Sequence, residues 1–133
     1  MISPLKVIKS TERTGTRQHF MPDSEIFEDV TFDADVLAHH FQDLAYLNRG
    51  VKITFRDLRE GKEREEIFHA EGGIVEFVEH LNKSKTAMHE KPIYLTCERD
   101  DVVVEVAMQY TDAYSESVFS YVNNINTIEG GTH

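Results

Sequence analysis

Apolar and polar residues change rhythm repeatedly along this chain, and the changes set the predicted elements. Leu5, Val7 and Ile8 make a short strand candidate after Pro4, and Ser10 to Gly15 is polar and turn-rich. A second strand, expected beside the first, runs on to Phe20. Met21-Pro22 closes it, because proline gives no amide hydrogen to a ladder and restricts the residue before it. Ser24 to Phe32 reads as an irregular connector, with Ile26, Phe27 and Phe32 expected to anchor it in a core.

The rhythm then becomes helical. Asp33 can cap a helix and Asp35 lies in its first turn, where the helix dipole favours a negative charge. Leu37, Phe41, Leu44 and Leu47 recur on one face, and Gly50 suits the left-handed stop. Val51, Ile53 and Phe55 next alternate with Lys52, Thr54 and Arg56, the pattern of a strand with one buried and one wet face. Glu60-Gly61-Lys62-Glu63 supplies a turn, and Glu65 to Ala70 returns as the antiparallel partner.

Gly72-Gly73 opens a hinge, after which Ile74, Phe77, Val78 and Leu81 mark a second amphipathic helix. A domain boundary is expected near Glu71, dividing the chain into 1–71 and 72–133. Asn82 to Pro92 is a polar, basic loop. Ile93, Leu95 and Cys97 form an alternating strand, Arg99-Asp100-Asp101 a turn, and Val102 to Tyr110 a long strand. Val103 and Ala107 lie on the face opposite Val102, Val104 and Val106, so that strand is expected to be central and covered on both sides. Cys97 reads as a small buried hydrophobe. Val118 to Val122 is a further strand, and Asn123 to His133 a loop. The fold class is therefore α+β.

A length of 133 residues suits one domain. A formal net charge of −10 argues against a direct nucleic-acid or anionic-membrane surface. The single cysteine allows no internal disulfide, and no apolar run nears the roughly 18 residues that span a bilayer. A soluble, cytoplasmic protein is expected. The chain starts with Met-Ile-Ser-Pro directly ahead of a strand and ends on Gly-Gly-Thr-His, which reads as a cut fragment.

Candidate chemistry is sparse. His39 and His40 are helix neighbours and point apart, while Glu76 and His80, four apart, are better explained as an exposed acid–imidazole pair than as metal ligands. No metal site and no catalytic residue is assigned. The acidic runs Glu63 to Glu66 and Glu98 to Asp101 flank turns, where charge keeps a loop solvated. No nucleophile triad, Walker-type loop or dinucleotide glycine pattern occurs. Thr14-Gly15-Thr16 is the remaining candidate: a glycine without a Cβ admits a ligand closely, between two hydroxyls that donate and accept.

The run from Thr14 to Lys62, then Glu71-Gly72-Gly73 to Lys85, then Tyr121 to His133 through Asn123-Asn124-Ile125-Asn126-Thr127 and Glu129-Gly130-Gly131-Thr132, resembles in order and spacing the ATPase subunits of bacterial type IIA topoisomerases. The gyrase B family is nearest; the paralogous subunit of topoisomerase IV is the alternative, and a non-enzymatic α+β interaction module the reading from another class. The resemblance implies that residues 1–71 are the end of a GHKL-type ATP-binding sandwich and 72–133 the start of a transducer domain. It implies ATP and magnesium as cofactors of the full-length protein, neither held tightly by this stretch. Gly15 and Thr16 match the pair after the family's phosphate lid, with the Thr16 hydroxyl expected near the adenine through an aspartate and an ordered water. The implied partners are the gyrase A subunit, DNA and a second copy of the ATPase subunit. The family's magnesium-binding and water-activating residues, its adenine-reading aspartate and its γ-phosphate lysine do not occur here, so the isolated chain is expected to be inactive. Unpaired sheet edges would leave it marginally stable or self-associating.

Overall fold

The structure, a computed structural model, describes residue 4 and residues 6–127. Glu129 to His133, the end of the expected loop, and the strand position Leu5 lie outside the described residues. The chain divides into one unit that ends at Phe32 and a second that starts at Asp33.

In the first unit neither expected strand forms: residues 6–22 carry no ladder and lie almost wholly exposed, Val7 and Ile8 above 90 %. Alternation describes a surface that fits a sheet, but a strand exists only when a neighbour accepts its hydrogen bonds. Asp23 builds the local turn: its carboxylate accepts from the Glu25 amide at 2.9 Å and its carbonyl from the amides of Ile26 and Phe27. Ile26, Phe27 and Phe32 are exposed rather than anchored, with Phe32 edge-on to Phe20 at 5.7 Å.

The second unit begins at the Asp33 cap, whose carboxylate accepts from the amides of Asp35 and Val36. Helix α1 runs Ala34–Leu47 and stops at Asn48, with Gly50 at φ +82 just beyond. Strands β1 (Lys52–Asp57) and β2 (Arg64–His69) pair antiparallel from Lys52↔His69 to Asp57↔Arg64. Ile53, Phe55 and Phe68 are half-buried, and α1 packs over this hairpin with Phe41 against Phe55 at 5.4 Å. Arg64 ties the layers together, donating to the Asp35 carboxylate at 2.6 Å and to the Ala34 carbonyl at 2.7 Å.

Helix α2 (Ile74–Leu81) follows the two glycines. Its cap, Gly73, has no side chain to offer, so Glu76 reaches back and accepts from the Gly72 amide at 3.0 Å. The most buried apolar residues are Ala38, Ala45, Tyr46, Ala70 and Phe77, and the central cluster joins Tyr46, Ala70 and Phe77 with Leu81 and Tyr121 against it.

Strands β3 (Ile93–Arg99) and β4 (Val102–Met108) form a hairpin through Asp100 and Asp101, both at positive φ, the geometry of a two-residue turn that matches strand twist. The hairpin is two-stranded, so the expected central strand is corrected: Val103 is 62 % exposed and Val104 51 %. Cys97 is likewise exposed, not buried. A valine-rich run marks a surface that sheet or helix layers can cover, and here α2 packs on β4 without closing both of its faces.

The loop after α2 runs antiparallel beside residues 109–112, through Met88 N–H to the Tyr110 carbonyl at 2.8 Å and Asp112 N–H to the Thr86 carbonyl at 3.0 Å. Asn82 donates to Gln109, which in turn donates to the His89 carbonyl. His89 Nε2 accepts from the Tyr110 amide while Nδ1 donates to the Lys91 carbonyl, which places the ring proton on Nδ1. The last strand is shorter than expected: β5 is Tyr121–Val122, paired with β6 (Ile125–Asn126) around Asn123 and Asn124 at φ +49 and +67.

Candidate functional site

Gly15 stands at φ +154, a backbone angle that L side chains rarely adopt, and a Cβ built there meets nothing within 4 Å. Gly15 and Thr16 are both exposed. The pair lies in the unit that ends at Phe32.

In the second unit, interactions converge on the last turn of α1. Tyr46 stacks on Phe77 with centroids 5.0 Å apart, and Phe77 is flanked by Phe119 and Tyr121. Burial raises Tyr46 above the ordinary phenol value, opposed by its hydrogen bond with Gln42. Burial likewise raises Tyr121. The Arg49 guanidinium donates to the Glu71 carbonyl at 2.7 Å, and the Gly50 amide to the Ala70 carbonyl at 3.1 Å. The Asn48 side-chain amide donates to the Leu44 carbonyl at 2.8 Å, and its oxygen accepts from the Asn124 side chain at 3.0 Å. One helix end therefore gathers the end of β2, the glycine pair, α2 and the β5–β6 turn.

Glu76 and His80 are not the acid–imidazole pair their spacing offered. Glu76 serves the Gly72 amide and the His80 ring packs on Tyr46 at 5.5 Å. A shallow groove along α1 is lined by Asp35, Val36, His39, His40 and Asp43, with Asp35 already held by Arg64. Among the described residues no group of three or more His, Cys, Asp or Glu side chains is placed to hold a metal ion, and no helix is long and apolar enough to cross a membrane.

Sequence reasoning missed the Asp57–Arg59 pair. Asp57 is buried at the end of β1, and the Arg59 guanidinium binds both its oxygens at 2.5 to 3.1 Å. The Arg59 side-chain bond, and then its backbone amide, hold the carboxyl down at about 2. Two residues apart before a turn, they were legible only as solvated charges. Asn48 and Asn124, 76 positions apart, carried no local signal for their contact.

The sequence profile described as DNA gyrase B matches residues 73–133. Among curated proteins, the chain is 54 % identical over its whole length to the DNA gyrase B protein of Streptococcus pyogenes serotype M3, covering 21 % of that protein. It is 51 % identical over 97 % of its length to the DNA gyrase B protein of Bacillus mycoides, covering 32 %. The chain thus spans a fifth to a third of these relatives. Among solved structures, the gyrase B protein of Myxococcus xanthus matches 81 % of the chain at TM-score 0.74 and 27 % identity, over 30 % of its own length. The 43K ATPase domain of Thermus thermophilus gyrase B, in complex with an aminocoumarin, matches 83 % at TM-score 0.73 and 33 % identity, again over 30 % of its length. Sequence along the entire length and fold over four-fifths of it agree, and the chain belongs to the DNA gyrase B family.

Proposed function

We propose that this chain is the mechanical link of an ATP-driven type II topoisomerase subunit, joining the end of a GHKL-type ATP-binding domain at residues 1–71 to the start of a transducer at 72–133. The observation that carries the reading is the α1 terminus: Tyr46, Asn48 and Arg49 hold the glycine pair, α2 and the β5–β6 turn in one cluster. The profile match that opens at Gly73 supports the same boundary. Gly15 and Thr16, open to solvent, are the residues assigned to the adenine side of the nucleotide.

In this reading ATP and magnesium are bound mainly by residues outside this chain, and nucleotide binding closes a gyrase B dimer that acts with the gyrase A subunit on DNA in the cytoplasm. Strand passage then changes supercoiling. The ATPase-domain neighbour supports nucleotide dependence, and the curated relatives favour gyrase over topoisomerase IV. Hydrolysis needs a positioned water, a base and a metal, and the chain assigns no residue to any of them. The isolated chain therefore turns over no ATP.

The test places this chain in the S. pyogenes relative in exchange for its matching residues. Restored ATP turnover in the hybrid, with none from the chain alone, agrees with the reading. Turnover by the chain alone that is lost in Thr16→Ala contradicts it.

A further inference from the structure

The covalent path from β2 to α2 runs through Gly72 and Gly73, with Gly73 at φ +61. Paired glycines fix few backbone angles, so this path transmits movement poorly. Side-chain contacts must set the arrangement instead, and they meet at the end of α1.

Among them the Asn48–Asn124 bond is fixed at both ends. Asn48 caps α1, and its donation to the Leu44 carbonyl decides which side of its amide faces outward: the oxygen does. Asn124 sits in a two-residue turn set by the Val122↔Ile125 pairing and by two residues at positive φ. A capped helix end thus meets a ladder-closed turn through one hydrogen bond of 3.0 Å. The Phe77 and Tyr121 rings, 6.3 Å apart, join the same hairpin to α2.

We propose that Asn48 and Asn124 are positioning residues that carry displacement of the α1 terminus directly to the β5–β6 hairpin, bypassing the glycine pair. The inference rests on the functional reading above, in which that displacement follows nucleotide state. Asn124→Asp keeps a residue that tolerates positive φ but turns the donor into an acceptor facing the Asn48 oxygen. Asn48→Asp would lose the donation to the Leu44 carbonyl that orients this oxygen, so the control is Asn123→Asp, which makes the same change at the other positive-φ position of the turn and leaves the Asn48–Asn124 bond in place.

The experiment measures ATP turnover and supercoils introduced per ATP in the hybrid assembled with its gyrase A partner. N124D is expected to lower supercoils per ATP about fivefold, the effect of a small coupling free energy, with ATP turnover within about twofold. N123D stays near the unaltered ratio. An unchanged ratio in N124D overturns the inference, as does an equal loss in N123D, which marks an effect of charge on the turn and not of the Asn48–Asn124 bond. A hybrid without ATP turnover before any asparagine is changed overturns the functional reading, and the inference falls with it.

Discussion

The rings of Tyr46 and Phe77 lie 5.0 Å apart and 16° from parallel, binding the end of α1 to the middle of α2. Few of the described side chains are as buried, and the cluster around them is small, with Ala70 as its third buried member. Truncating a buried phenylalanine costs about 3 kcal/mol or more. Phe77→Ala is therefore expected to abolish a cooperative urea transition, while Phe77→Leu lowers its midpoint and keeps the transition.

Acid sensitivity should trace to Asp57. Its folded value of about 2 lies below the unfolded carboxylate value near 3.9, so the native state holds the ionised form more firmly. That contribution is complete above about pH 4 and is lost as pH falls through 2. Urea midpoints measured from pH 5 down to pH 2 should fall, and Asp57→Asn should fall less across the same window from a lower start.

Alanine is disfavoured at each glycine of the pair for a different reason. An alanine Cβ at Gly72 would come within 2.8 Å of the Glu76 Cβ, and one at Gly73 would require φ +61 with only ordinary contacts to Arg49. A left-handed alanine costs roughly 1 kcal/mol. Gly73→Ala should lower the melting temperature by a few degrees without changing the helix content seen by circular dichroism. Gly72→Ala should also detach Glu76 and expose the Gly72 amide to faster exchange.

What is legible in the sequence and what is not divide by whether the signal is local. Asp33, the spacing of Leu37, Phe41 and Leu44, and Gly50 describe α1 within a few residues of each end. Ile53 and Phe55 give β1 its inner face in the same way. The segment around Val7 and the one that runs on to Phe20 read as strands from their local pattern, yet a ladder needs a second segment that such a pattern cannot name. Hydrophobicity puts Val103 and Cys97 inside, but it tells how a surface prefers to be covered and not whether it is. The Asn123-Asn124 turn has a readable cue, since asparagine tolerates positive φ better than most residues, but the cue sits within a longer polar run that reads as one loop. The candidate site follows the same rule. Gly15 and Thr16 stand together in a short word, whereas the α1 junction depends on contacts such as Asn48 to Asn124 that only the fold brings together.

Thr16 is exposed, so its removal should be silent for folding. Thr16→Ala is expected to leave the stability of the chain within about 0.5 kcal/mol in a urea titration. In the hybrid it should raise the KM for ATP about fivefold, the loss of one net hydrogen bond of roughly 1 kcal/mol.

The central claim is that this segment passes on nucleotide state and does not itself consume the nucleotide. Its most direct test is ATP-dependent supercoiling of relaxed plasmid by the hybrid S. pyogenes protein, assembled with its gyrase A partner, alongside the isolated chain under the same conditions. The account predicts supercoiling by the hybrid and no ATP turnover by the chain alone. A correctly folded hybrid that hydrolyses ATP without changing supercoiling would contradict it.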